Sequence, residues 1–380
     1  MRNNLVLGLI GALAVLPTSE NAGATRQIPR SNDIRVVANP ETPKFGEFRL
    51  ELEKDLEIKG AGDGRDFKGL RDIAVGADGA IFLTDYMGGG LHIFDRQGVL
   101  KKTISSFGDE PKDFKPYRLG LNDETGDVAV WMYKTLKEFD REGRRLRDFQ
   151  FPDPLGQDGL VIPGFGYRAI FEGWLDSATV HRLARFEATH LPPKILMEAP
   201  YTIYRRKEGR METALYHSFA FKILLAQRGP RNYVVGYSRE YRLEIRDEHD
   251  RPVLQITKEG PPPSFSKNEL RRLKDLICQE HKPYFYRLLS DDRNRIYAVI
   301  DDPVEAASRL RCDVFGKDGG YLYRSEIPRG TRVIKGGYLF ALASDGPDDD
   351  WTAFMRYRIK NWDRILEAEH SLPFIQEVWR

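Results

Sequence analysis

Cysteine is nearly absent. The 380 residues hold only Cys278 and Cys312, too few for a disulfide framework and without the close spacing of a zinc site. In an oxidising compartment the two can pair or can remain separate buried thiols, and both readings stand at this stage. Net charge is nearly absent too, since 59 basic residues face 57 acidic ones. Such a balance gives no whole-molecule field for nucleic acid or an anionic membrane surface, so neither is expected as a partner. His92, His181, His190, His217, His249, His281 and His370 never fall at the spacing of helical or hairpin zinc ligands. No P-loop and no Gly-x-Ser-x-Gly elbow occurs. No cofactor is expected.

Long apolar runs are missing with one exception. LVLGLIGALAVL, residues 5–16, follows Met1-Arg2-Asn3-Asn4 and leads to the small triplet Ala22-Gly23-Ala24. This is the order of a secretory signal peptide, residues 1–24, cleaved after Ala24. The run is shorter than the roughly 20 residues a membrane span needs, although a signal-anchor is the alternative. The expected product is exported, periplasmic or extracellular, without stable membrane insertion.

What the chain does have is a period. LHIFDRQGVL (91–100) returns as LKEFDREGRRL (136–146). Anchored on the residue that ends a third strand, the units fall at Phe94, Phe139, Phe186, Ile245, Phe315 and Tyr357, with steps of 45, 47, 59, 70 and 42 residues. In the first unit, LRDIAV, AIFLTD, GLHIFD and VLKKTI read as four strands, the first pair joined by Asp78-Gly79, a dipeptide suited to hairpin turns. Ile81, Phe82 and Leu83 are apolar in succession, as in a strand covered on both faces.

The expected fold class is therefore all-β, a six-bladed β-propeller over residues 48–362. The last unit has only three convincing strands, TRVIK, YLFALAS and TAFMRYRI, so FRLELEKDLEIKG (48–60) is expected to supply the fourth and close the ring. Residues 25–47 read as an N-terminal linker and 363–380 as a C-terminal tail. A helical insertion is expected at 261–282, between blades 4 and 5. There three prolines precede Ser266 and Glu269, a capping box opening a helix through about Gln279.

GAGDGRDFKGLRDIAVGADGAIFLTDYMGGGLHIFDRQGVL resembles the NHL-type repeat, in which a Gly-rich stretch and a Phe precede an Ile-Ala-Val strand, an Asp-Gly turn and a Phe-Asp-polar-x-Gly hairpin. The proline-led helix and the closing Tyr-Arg-Ile are similar to exported bacterial six-bladed propellers. The resemblance spans roughly residues 48–360. It departs where the inner-strand Pro is replaced by Leu70. It implies the fold and leaves function open, since propellers host binding proteins, lyases, lactonases and scaffolds.

In a propeller the innermost strands line the channel, so their first residues are candidate ligand contacts. LRDIAV supplies Arg71, YRLGL supplies Arg118 and YRLLS supplies Arg287. Guanidinium groups around one axis suit carboxylate or phosphate. Tyr117 and Tyr286 precede two of these arginines and can stack on a ring. His217 takes the related place in the fourth blade, and Arg329 or Arg332 in the last. Arg168 fits a second strand better. Equally, the arginines can pair with Asp72, Asp291 or Asp292 and merely tie blades together. The run Asp345-Gly346-Pro347-Asp348-Asp349-Asp350 offers oxygen ligands for calcium but reads more simply as a solvated hairpin loop.

Two functions stay open. One is an exported non-catalytic propeller that binds an anionic or saccharide-like small molecule, or a protein partner, at the channel mouth. The other is a metal-dependent propeller hydrolase, lactonase or lyase, with Asp72 and Asn122 as conceivable ligands.

Overall fold

Consecutive apolar residues in a strand can all be buried only when both faces of the sheet are covered, and that requirement organises this chain. The computed structural model describes residues 34–62, 64, 66–105, 114–132, 135–150, 159–161, 167–175, 178–186, 193–201, 219–272, 280–302, 308–344 and 351–365, without the side chains of 159–161 and 171–179. The signal-peptide segment, His190, His217, Cys278, the run 345–350 and His370 lie outside the described residues.

Chain order begins with β1 (Arg35–Asn39) and β2 (Leu52–Ile58). The first unit is β3 (Leu70–Val75), β4 (Ile81–Asp85), β5 (Gly90–Phe94) and β6 (Leu100–Ser105). The second is β7 (Arg118–Leu121), β8 (Val128–Trp131), β9 (Thr135–Phe139) and β10 (Arg145–Gln150). The third is β11 (Gly159–Val161), β12 (Tyr167–Leu175), β13 (Ala178–Phe186) and β14 (Lys194–Pro200). The fourth is β15 (Ile223–Arg228), β16 (Asn232–Tyr237), β17 (Arg242–Arg246) and β18 (Pro252–Lys258). The fifth is β19 (Arg287–Ser290), β20 (Ile296–Val299), β21 (Arg309–Phe315) and β22 (Tyr321–Pro328). The last is β23 (Thr331–Lys335), β24 (Tyr338–Ala343) and β25 (Ala353–Ile359).

Each unit is an antiparallel meander, and these are six sheets of a six-bladed β-propeller. The sixth takes its outer strand from the N-terminal side of the chain, in the order β2-β25-β24-β23, with Leu52 opposite Ile359 and Ile58 opposite Phe354.

Among the described residues the core divides into six clusters, one between each pair of neighbouring sheets. Phe82, Leu91 and Ile93 meet Leu121, Val128 and Phe139 between the first two. Ile73, Leu83 and Phe94 meet Phe340, Leu342 and Phe354 between the first and sixth. Polar bonds cross the same interfaces. Asp72 accepts from Leu119 N at 2.9 Å, the Tyr167 hydroxyl donates to Glu138, and Arg168 Nε donates to Asp250 at 2.7 Å. Asp313 accepts from the Tyr241 hydroxyl at 2.7 Å and Lys258 Nζ at 2.8 Å. Asp292 accepts from Gly336 N at 3.0 Å, and Lys335 Nζ donates to Val75 O at 2.8 Å.

Part of the stretch read as a linker, 25–47, is instead built into the sheets. β1 lies parallel to β18 as a fifth strand of the fourth sheet. Farther on, Lys44 N, Phe45 N and Phe48 N donate to Tyr321 O, Leu322 O and Arg324 O on the outer strand of the fifth sheet. The segment thus straps the outer edges of three successive sheets, ending in β2. Asn39 is the buckle: Nδ2 donates to Thr257 O at 3.1 Å and Gly319 O at 3.0 Å, and Oδ1 accepts from Tyr321 N at 2.7 Å. The first residues of the stretch read as a tail, 363–365, belong to a helical turn that buries Ile365. Cys312 is a free thiol, sealed between the fifth and sixth sheets.

Between β18 and β19 runs α1 (Lys267–Arg272); the rest of the helix read to Gln279 lies outside the described residues. Its capping box is formed. Glu269 N donates to Ser266 Oγ at 3.2 Å, and the Glu269 carboxylate accepts from Ser266 N at 2.5 Å and Lys282 Nζ at 2.8 Å.

Asn39→Ala is expected to cost about 2 kcal/mol, because it leaves two carbonyls and an N–H unsatisfied at a buried site. A urea melt checks this, with a lower midpoint at unchanged slope. Burial alone would raise the Glu269 carboxyl, but its bonds from Lys282 and Ser266 outweigh that and hold it at about 2 against an ordinary 4.5. Its contribution is therefore full above about pH 4.5 and lost as pH falls toward 2. The melting-temperature gap between the wild type and Glu269→Gln should accordingly close over that interval.

Candidate functional site

The first strand of every unit, β3, β7, β11, β15, β19 and β23, touches the first strand of the units on either side, so these strands form a closed inner ring. They enclose a cavity of about 430 Å³. Position along a strand becomes height in the channel, about 3.3 Å per residue. The first residues of the six strands therefore share one end and their last residues the other.

The starting end is basic. Arg118 and Arg287 open β7 and β19, Arg332 is the second residue of β23, and Lys222 immediately precedes β15; all four line the cavity, with Tyr286. Arg71, second in β3, lies 5.5 Å from the Tyr86 ring, which meets the Tyr117 ring at 4.4 Å with a 40° tilt. Arg71 and Arg332 are each the extra residue of a β-bulge, between Leu70 and Asp72 and between Thr331 and Val333. A bulge takes a side chain out of strict alternation and re-aims it. Arg329 and Arg332 both sit 5.7 Å from the Trp351 ring, and Trp351 O accepts from Leu70 N at 2.8 Å. Arg287 Nη1 reaches Thr331 O at 3.0 Å, beside Arg332.

Of the residues read from sequence, Arg118, Arg287 and Tyr286 line the cavity, while Arg71 and Tyr117 stand beside it. His217 lies outside the described residues; β15 begins at Ile223, which makes Lys222 the basic residue of the fourth sheet at this height. Lys222, Tyr86 and Trp351 were missed. The signal for Lys222 was its place immediately before an Ile-Leu-Leu-Ala strand, but the strand register was set too early. Arg168 is buried in β12 against Asp250, a second-strand position.

Asp72, Asp291 and Asp292, weighed as partners for the arginines, also accept from other donors. The Asp72 oxygens accept from Ile73 N and Leu119 N at 3.0 and 2.9 Å. Asp291 accepts from Arg295 Nε at 2.6 Å and Asp292 from Gly336 N. Asn122 Oδ1 accepts from Glu124 N and Thr125 N, which makes it a turn residue. Among the described residues, no group of three His, Cys, Asp or Glu stands close enough to hold a metal ion.

The electrostatics follow from this crowding. Arg332 keeps some surface on the channel, yet its Nε is sealed from solvent. Burial pushes its guanidinium well below the ordinary range, Arg287, Arg118 and Arg71 push the same way, and Asp72 opposes them. A guanidinium stays protonated in practice, so the direction expresses first the cost of burying this charge and second the repulsion of its like-charged neighbours.

No family model and no curated relative matches the chain. Solved structures similar to it include a protein described as exported from Bacteroides fragilis (11% identity, TM-score 0.48, covering 86% of this chain and 99% of that one). A member of family DUF4221 from Bacteroides vulgatus is similar at 12% identity and TM-score 0.47, over 82% of this chain and 98% of that one. A virginiamycin B lyase from Staphylococcus aureus is similar at 11% and 0.41, over 81% and 99%. The class is defined by the chain's own sheets: a six-bladed β-propeller whose channel has a basic end.

Arg332→Met removes a buried charge while keeping most of the side-chain volume. In low-salt buffer free of oxyanions it is expected to raise stability by about 1 kcal/mol. Denaturant melts with and without added phosphate check this, and phosphate should stabilise the wild type more than the variant.

Proposed function

We propose that this chain is an exported, non-catalytic β-propeller that binds an anionic or saccharide-like small molecule, or a protein partner presenting such a group, at the basic end of its channel. The observation that carries the reading is the arrival of Arg118, Lys222, Arg287 and Arg332 from four different sheets at one cavity. Fixed cations in a concave, partly desolvated site favour carboxylate or phosphate oxygens, and guanidinium forks match them in pairs. A cavity of about 430 Å³ suits a small molecule. Tyr286 and the Tyr86–Tyr117 pair give a sugar or aromatic ring surfaces to lie on.

The reading extends to origin and place. The Phe-Asp-polar-x-Gly hairpins support descent from NHL-type repeats, and the first 24 residues support delivery to the periplasm or the outside. No helix among the described residues is long and apolar enough to cross a membrane. The alternative, a metal-dependent hydrolase, lactonase or lyase, draws least support at this end of the channel, where gathered guanidinium groups would repel a divalent cation.

The test is a thermal melt of the purified chain with pooled anionic metabolites and, after chelator treatment, with calcium or zinc. A ligand of the folded state at a hundredfold excess over its Kd adds about 2.7 kcal/mol. An upward shift with an acid that vanishes in Arg118→Ala is expected. A large metal-dependent shift, unchanged by that substitution, would overturn the binding reading in favour of the enzyme.

A further inference from the structure

The apolar surface of the channel forms a belt. Leu119, Leu224 and Val333 line the cavity and are half-buried, so each keeps part of its side chain open to it. They stand on β7, β15 and β23, which belong to alternate sheets, so this surface surrounds the axis instead of lying on one wall. Each is anchored from behind: Leu119 on the cluster between the first two sheets, Leu224 on that between the fourth and fifth, and Val333 on that between the first and sixth. Leu225 adds to the belt. Farther along, the wall turns polar, with Gln227, Ser290, Asp291 and the Lys335–Asp123 pair at 2.6 Å.

Most of the charge at the basic end is answered within the protein. Arg118 and Arg287 have partners of their own, and the negative Asp72 carboxylate beside them attracts Arg332. Lys222 differs. It immediately precedes β15, and among the described residues its ammonium takes part in no hydrogen bond or ion pair. Two residues on, about 6.6 Å along the same strand, stands Leu224 of the belt. One unanswered ammonium suits one negative charge, and open apolar surface beside it suits an apolar body.

Resting on the anion-binding reading and narrowing it, we propose that the ligand is a monocarboxylic acid with an aliphatic body. Its carboxylate meets the Lys222 ammonium, and its body lies within the belt of Leu119, Leu224 and Val333. The belt selects the body and supplies most of the affinity. Lys222 fixes which end of the ligand points to the basic mouth.

Isothermal titration of the purified chain with acetate, butyrate, hexanoate and octanoate, and with 1-octanol and inorganic phosphate, tests this. Affinity is expected to climb along the acids, by up to about fourfold per buried methylene and at least about tenfold from acetate to octanoate. Octanoate is expected to bind at least about tenfold tighter than 1-octanol, and Lys222→Met should remove that difference. Leu224→Ser should flatten the climb, and the wild-type series decides the matter without it. A flat wild-type series with acetate still bound would overturn the aliphatic acid while leaving the anion site standing. Binding of phosphate but of no acid would do the same. Equal affinity for 1-octanol and octanoate, or binding of neither an acid nor phosphate, would overturn the anion reading and this proposal together.

Discussion

Everything in this chain depends on covering both faces of every sheet. Several middle strands carry apolar residues at consecutive positions, and β4, β5, β8 and β20 are buried from end to end. No two-layer arrangement covers six such sheets, whereas a ring gives each one two neighbours. The price is a narrow axis on which six inner strands must start together. Buried polar bonds at the sheet interfaces add direction to the packing, because Asp72 or Asp313 left without its partners costs more than a lost contact.

That axis explains how repulsion can be tolerated. Four basic side chains would separate on a flexible surface, but here each is fixed by a strand whose position is set by apolar clusters on both sides. The aromatic rings hold the guanidiniums further. Trp351 lies within reach of Arg329 and Arg332, and Tyr86 within reach of Arg71 and Lys115. The fold's stability thus supports a local gathering of like charges. On the proposed reading, such a site is prepared for an anion before the anion arrives.

The periodicity was legible because it is turn chemistry. Phe94 and Phe139 are buried third-strand ends, and the Asp that follows each takes backbone N–H bonds from residues two and four positions on, with Gly98 and Gly143 at positive φ. The fourth unit hid this motif because Asp250 stands where the glycine would be, at φ 66°, its carboxylate held by Arg168, Arg185 and Tyr233. The strap was illegible for a different reason. β1 pairs in parallel with a strand more than two hundred residues away, and a partner that distant leaves no mark in the local sequence. Of the site, Arg118 and Arg287 could be read because both open their strands, whereas Trp351 is brought to Leu70 by long-range pairing alone.

Anomalous scattering from crystals soaked in tungstate, a heavy oxyanion, would test most directly whether the basic end of the channel is an anion site. The expected result is one strong peak inside the cavity, within hydrogen-bonding distance of the Arg118, Arg287 and Arg332 guanidiniums. Peaks confined to the outer surface, with those three side chains turned away from one another, would contradict it.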